Sequence, residues 1–353
     1  MTSAELSPAP FAAPTVAPND AVPSVSLPGL EYTLYQPNQL KSRFPALMIH
    51  GFATRGDQLY GGTGWIRQYL RAGYPVLVVN LPYHTDEYLK DLQFTVDCKL
   101  PAHTQVMSGE IPFSSVPSTN AADERLSPMH QLTSALAQLL RAVATENGLD
   151  VELQPRAHVI GFSFGARIGW ELALTHPEAV VSLTLGGLPL HDHLITLRSM
   201  LEAYEGTSAS ASAQTQAADS TEGAVASFTS IIDNSPVQPE ALLKFVQIPF
   251  GPFFDVPALR TGSPNLPAGH PGAHPHAPIA VVLGDADTIA ADGAELYDMV
   301  RDDNPLNRFI SLPGRDHVNA LTSGVFRRGA LAFAAEVDAT EAAEGAGDAT
   351  DPS

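Results

Sequence analysis

The nine residues Ala157-His158-Val159-Ile160-Gly161-Phe162-Ser163-Phe164-Gly165 constrain this chain more than any other stretch. An apolar run enters them after Pro155, and Ala166 to Leu174 leaves them with helix formers, Ile168 and Leu172 standing one turn apart. The reading is a buried strand that turns sharply into a helix with one serine at the apex. So tight a turn strains the serine's backbone and brings the residues two before and two after it close together. Side chains there would clash, which accounts for Gly161 and Gly165.

Strand and helix patterns alternate on both sides of this turn. Glu31 to Tyr35 alternates like a strand, Pro37-Asn38 supplies a turn, and a second strand, Pro45 to Ile49, runs directly into His50-Gly51-Phe52. Trp65, Ile66, Tyr69 and Leu70 mark a helix stopped by Gly73, after which Val76 to Leu81 is a continuous apolar strand. Strand, helix, strand implies parallel pairing. Ser127-Pro128 opens a helix carrying Leu132, Leu136, Leu139 and Val143 that stops at Asn147-Gly148. After the elbow helix ends at His176-Pro177, Val180 to Leu185 is strand-like and closed by Gly186-Gly187. Ile279 to Leu283 and Arg308 to Leu312 are further strands, separated by a helix from Ala294 to Val300 and followed by a last helix from Gly324 to Val337.

Two stretches depart from this alternation. Pro82 to Leu126 has mixed polarity with scattered Pro and Gly and is too long for an ordinary connection, so residues 83–126 read as an active-site loop or an elaborated surface. Between Leu190 and Pro278 only helical patterns occur: Ile195, Leu197, Met200 and Leu201, then Val225, Phe228, Ile231 and Ile232, then Leu242, Leu243, Phe245 and Val246. This region holds a Ser/Ala/Thr/Gln tract, Thr207 to Thr221, and a Pro/Gly/His tract, Gly262 to Pro278, both expected to be mobile linkers.

Composition limits the function classes. A formal charge of −19 over 353 residues, with nothing basic clustered, argues against a nucleic-acid partner. No Lys or Arg precedes Lys41 and no long apolar core stands near the N-terminus, so a secretory signal is not expected; the single Cys98 fits a reducing compartment, and the expected location is cytoplasmic. No run of about 18 apolar residues predicts a membrane span.

The elbow, His50-Gly51-Phe52, and the loops after the last two strands together resemble the α/β-hydrolase family, whose nucleophile elbow has the G-x-S-x-G pattern between the same two elements. The resemblance implies an α/β fold with a mostly parallel central sheet flanked by helices and an inserted helical cap. The expected organisation is a disordered Pro-rich arm (1–29), a first core part (30–189), a helical cap with low-complexity linkers (190–278), a second core part (279–337) and a disordered acidic tail (338–353). The family's chain order is Ser, acid, His, which here implies Ser163, Asp287 and His317. Asp287 closes the Gly284-Asp285-Ala286-Asp287 turn after a late strand. Asp285 is a near competitor, and Asp192, after the preceding strand, is a third candidate. His317 stands in the Gly314-Arg315-Asp316-His317 loop after the final strand, where the family places its base.

The implied chemistry is that of a carboxylic-ester hydrolase without a cofactor. Ser163 would be acylated with His317 as base, and the oxyanion would be held by the backbone N–H groups of Phe52 and Phe164. His50 reads as structural. The pairs His191 with His193 and His274 with His276 lack further ligands for a metal. The apolar insertion, with Phe250, Phe253 and Phe254 near its exit, implies a small-molecule substrate with a hydrophobic moiety and a pocket that opens by cap movement. The same triad serves acyl transfer, carbon-carbon bond hydrolysis and perhydrolysis, and a non-catalytic ligand-binding protein is the alternative of another class. Oligomeric state is open.

Overall fold

The computed structural model describes residues 27–90, 98–113, 127–145, 153–207, 222–251, 253–261, 270 and 272–348. Eight strands form one sheet: β1 (Leu30–Gln36), β2 (Ala46–Ile49), β3 (Val76–Asn80), β4 (Gln105–Ile111), β5 (Ala157–Phe162), β6 (Val180–Gly186), β7 (Ile279–Gly284) and β8 (Arg308–Leu312), in spatial order β4-β1-β3-β2-β5-β6-β7-β8. From β3 to β8 every pairing is parallel, whereas β1 runs antiparallel to β3 and to β4. Every residue of β2, β3, β5, β6 and β7 is buried. Strands covered on both faces favour apolar side chains on both, so they read as mostly hydrophobic runs; the buried polar exceptions are Asn80, His158, Ser182 and Thr184.

Helices cover the sheet: α1 (Trp65–Ala72), α2 (Pro128–Thr145), α3 (Phe164–Thr175), α8 (Gly293–Val300) and α9 (Gly324–Asp348) surround the strands. The alternation of strand side chains separates two apolar layers. Leu47, Ile49, Leu77, Val79 and Val159 pack with α2, α3 and α8, while Met48, Val76, Val78 and Ile160 pack with α1 and the start of α9. Trp65 and Phe326 anchor the second layer edge-to-face at 4.8 Å, both fully buried. Among the described residues, four helices lie between β6 and β7: α4 (Leu194–Thr207), α5 (Glu222–Asp233), α6 (Pro239–Val246) and α7 (Val256–Thr261). Among the described residues, no helix is long and apolar enough to cross a membrane.

Three expectations need correction. The stretch 83–126 is not only loop: it contains β4, which pairs with all seven residues of β1 at the sheet edge. Its sequence, Gln-Val-Met-Ser-Gly-Glu-Ile, is mostly solvent-facing, so no apolar alternation announces it. The Gly262–Pro278 tract is not wholly a mobile linker. His274 contacts Asp303 at 2.6 Å and the Leu259 carbonyl at 2.8 Å, docking the part near β7. Residues 262–269 and 271, the 208–221 part of the Ser/Ala/Thr/Gln tract and residues 1–26 of the arm lie outside the described residues.

The acidic tail also starts later than expected, because α9 continues through Asp338 to Asp348. His158, buried in β5, donates from Nε2 to Asp338 at 2.8 Å and accepts the Ser182 hydroxyl at Nδ1, also at 2.8 Å. Tyr74 donates to the other Asp338 oxygen at 2.8 Å. Burial pushes the Asp338 carboxyl up, but hydrogen bonds from His158, Tyr74 and Ser42, with the positive charge of His158 whenever its ring is protonated, hold it below the usual carboxylate range. One turn on, Glu341 meets the Arg156 guanidinium at 2.9 and 3.2 Å in a half-exposed pair. Replacing Asp338 by Asn leaves the buried imidazole poorly matched and is expected to cost about 1–3 kcal/mol in urea denaturation at pH 7. Glu341→Gln, which removes a solvent-screened pair, is expected to cost less than about 1 kcal/mol in the same measurement.

Candidate functional site

The β5–α3 turn places Ser163 at φ 53° and ψ −120°, a conformation rare for a residue with a side chain. A Cβ at Gly161 would lie 2.4 Å from the Gly165 carbonyl oxygen, so the two glycines do approach each other. A Cβ at Gly165 would strike a different neighbour, the Ile49 and His50 carbonyls at 2.2 and 2.5 Å, where β2 ends. The turn is thus wedged against the loop carrying Gly51 and Phe52. Ser163 N–H donates to the Gly186 carbonyl at 2.7 Å, tying the apex to the end of β6 as well.

Asp287 and His317 meet beside this apex. His317 Nδ1 lies 2.8 and 3.1 Å from the two Asp287 oxygens, and Asp287 Oδ1 also accepts the amides of Ile289 at 3.0 Å and Ala290 at 2.9 Å. A carboxylate only accepts, so Nδ1 carries the proton and Nε2 is left as a base. Both groups are buried. Burial raises the Asp287 pKa, but the hydrogen bond from His317, the positive charge of that ring whenever it is protonated, and the two amides outweigh it and hold the carboxyl below its ordinary value. Ser163, His317, Gly51, Phe52 and Phe164 line a single cavity of about 190 Å³. No hydrogen bond joins Ser163 Oγ to His317 among the described residues; such contacts commonly tighten only around substrate.

Among the described residues, neither competing carboxylate hydrogen-bonds His317, which lies against Asp287. Asp285 accepts the Gly314 amide at 2.6 Å, and Asp192, at the cavity rim, accepts the Leu194 amide at 2.8 Å at the start of α4. The acid turn and the histidine loop are laced together, since Ala286 N–H donates to the Arg315 carbonyl at 3.1 Å and a Cβ at Gly284 would lie 2.0 Å from that oxygen. Of the three phenylalanines before α7, only Phe253 reaches the cavity. Phe250 packs on Phe164 and Phe245, and Phe254 packs on Trp170. Phe253 and Phe254, edge-to-face with each other, both lie against the buried Arg167 guanidinium, at 4.9 and 4.5 Å. His191 pairs with Asp292 and His193 with the Ile289 carbonyl. No group of three or more His, Cys, Asp or Glu among the described residues is arranged to hold a metal ion.

One residue of this region escaped the sequence reading. His84, fully buried after β3, accepts the Ala53 amide at Nε2 (3.2 Å) and donates from Nδ1 to the Pro82 carbonyl (2.9 Å). His50 does the same for the Leu81 amide at 2.9 Å and the Gly51 carbonyl at 2.7 Å. The two rings lie 5.1 Å apart and brace the Gly51–Thr54 loop. The only signal was a His four residues beyond the apolar run of β3, which a single sequence does not distinguish from a surface loop.

Burial pushes His84 down to about 4 and His50 well below its ordinary value, so both stay neutral in the folded protein. The unfolded chain takes up these protons first. Between the unfolded value near 6.5 and the folded value near 4, stability is therefore lost as pH falls, by up to about 3 kcal/mol for His84. Urea midpoints at pH 7 and pH 4.5 are expected to show this loss, and His84→Asn, though less stable at pH 7, is expected to lose less on acidification than the parent.

No protein-family model matches the sequence, and no curated protein matches it. Solved structures do. MenH from S. aureus superposes with a TM-score of 0.52 at 13% identity, over 87% of this chain and 99% of that one. A thermophilic esterase from Thermogutta terrifontis, malate bound, gives a TM-score of 0.48 at 16% identity, over 89% and 98%. A carboxylesterase structure from Nitrososphaera gargenis gives 0.48 at 15%, over 91% and 98%. With the eight-stranded, mostly parallel sheet and its flanking helices, the likeness to MenH shows that the chain has the α/β-hydrolase fold.

Proposed function

We propose that this chain is a serine hydrolase of carboxylic esters. The observation that carries the reading is the buried Asp287–His317 pair facing one small apolar cavity with the strained Ser163. Ser163 Oγ attacks the ester carbonyl while His317 Nε2 takes its proton, and Asp287 keeps the imidazole in the required tautomer and stabilises its positive charge. The N–H groups of Phe52 and Phe164 stabilise the oxyanion. Both border the cavity, and Phe164, as the first residue of α3, has an amide without an intrahelical acceptor. His317 then protonates the leaving alcohol and activates the water that releases the acyl group.

Intact-mass labelling with a fluorophosphonate is expected to add one adduct to the parent protein and none to Ser163→Ala. Asp287→Asn, which keeps the shape but turns the imidazole to the wrong tautomer, is expected to lower kcat by about three to four powers of ten. A parent that takes no adduct at neutral pH would overturn the reading.

In this reading α4 to α7 form the cap, of which α4 (Leu194, Leu197), α5 (Phe228, Ile231) and the segment before α7 (Phe253) supply the outer wall of the cavity. The volume, about 190 Å³, sets the acyl size. An apolar cavity of about 150 Å³ accommodates benzene, so this one suits acyl chains of about four to eight carbons without rearrangement. On a series of p-nitrophenyl esters, kcat/KM is expected to rise from acetate to butyrate or hexanoate and to fall beyond about ten carbons. Equal rates across the series would refute an apolar acyl pocket of this size.

A further inference from the structure

Ala53 follows Phe52 and sits at φ 61°, buried, in a region that residues with a side chain rarely adopt. Its two backbone groups are held by side chains from two different segments. The N–H donates to His84 Nε2 at 3.2 Å, and the carbonyl accepts the Ser235 hydroxyl at 2.7 Å. Ser235 belongs to the turn between α5 and α6, within the insertion. Its hydroxyl oxygen also accepts the Val237 amide at 3.0 Å, so the rotamer is fixed, and the residue is only 5% exposed.

That turn is firmly docked on the segment after β3. Leu89 and Val237 form an antiparallel bridge; Lys90 N–H donates to the Pro236 carbonyl and Gln238 N–H to the Tyr88 carbonyl, each at 2.8 Å; and Gln238 Nε2 donates to the Leu89 carbonyl at 2.9 Å.

We propose that Ser235 is a positioning residue for the oxyanion loop: its hydroxyl clamps the Ala53 carbonyl and so holds the Phe52 N–H in place while the α5–α6 turn is docked. The inference rests on the ester-hydrolase reading and deepens it. The peptide plane between Phe52 and Ala53 is fixed by His84 and the plane after Ala53 by Ser235. With both fixed, Ala53 stays left-handed. With one released, the chain relaxes toward negative φ, the planes rotate, and Phe52 is drawn from its station beside Ser163. Removing the hydroxyl also leaves a buried carbonyl without its partner, which favours the rotated loop. The insertion therefore takes part in chemistry as well as in covering the cavity, and lifting its α5–α6 turn would disarm the site.

The test compares Ser235→Ala and Ser235→Thr with the parent on p-nitrophenyl butyrate, with amide hydrogen exchange of residues 50–56 measured alongside. For Ser235→Ala, kcat is expected to fall about 10- to 100-fold, as for a displacement of roughly 1 Å at a reacting centre. KM is expected to stay within about 2-fold and the pH–rate profile to keep its shape. Exchange in 50–56 is expected to rise about 10-fold while β2 and α3 are unchanged, and Ser235→Thr, which keeps the hydroxyl, is expected to recover most of both effects. If the alanine variant does not fold, Ser235→Cys, of similar volume but a weak donor, replaces it. Unchanged exchange in 50–56 for the folded variant overturns the clamp whatever the activity. Unchanged kcat with faster exchange overturns its role in catalysis. Faster exchange in a protein whose parent neither turns over esters nor takes a fluorophosphonate refutes the hydrolase reading and leaves the clamp standing.

Discussion

The close backbone approach between the β5–α3 turn and the end of β2 is the contact on which the rest of the site depends. Gly165 lies so near the Ile49 and His50 carbonyls that no side chain fits between them. This nearness follows from the parallel pairing of β2 with β5, which brings their carboxyl ends to the same edge of the sheet. Ser163 and Gly51 are then neighbours because their parent strands are: a Cβ at Gly51 would lie 3.1 Å from that of Ser163. A sheet paired otherwise would leave the same residues far apart.

Around this contact, the loops are tied to one another by hydrogen bonds as well as by apolar packing. Asp285 holds Gly314, Arg315 holds Ala286, and Asp287 caps its own turn while it holds His317. On the other side His50, His84 and Ser235 satisfy the backbone of the Gly51–Thr54 loop. Buried amides and carbonyls need such partners, and satisfying them makes a loop rigid without regular structure. Gly187 serves the same end sterically: a side chain there would press on the His317 ring at 3.1 Å.

What could be read along the chain was what local periodicity expresses. The buried strands appear as apolar runs, α1 and α2 as spaced apolar faces with recognisable ends, and the elbow as two glycines about a serine. Elements whose existence depends on a distant partner were not readable. β4 is a polar edge strand that needs β1 beside it. The last turns of α9 look like a solvated acidic tail until His158, Tyr74 and Arg156 are seen to receive Asp338 and Glu341. His84 and Ser235 carry no local pattern at all, since each acts on a backbone group 31 or 182 residues away.

The sequence by itself determined the alternation of strands and helices, the place of the sharp turn at Ser163 and the order of serine, carboxylate and histidine along the chain. These are set by side-chain volume, polarity and backbone freedom over a few neighbouring residues. Only the tertiary structure shows which carboxylate meets the histidine: Asp285 and Asp192 are as acidic as Asp287 in sequence, but the His317 imidazole lies against Asp287. It also decided the size of the cavity and the source of the groups that hold the Gly51–Thr54 loop. Those properties are distances between segments far apart in the chain, and such distances exist only once the sheet has brought its strand ends together.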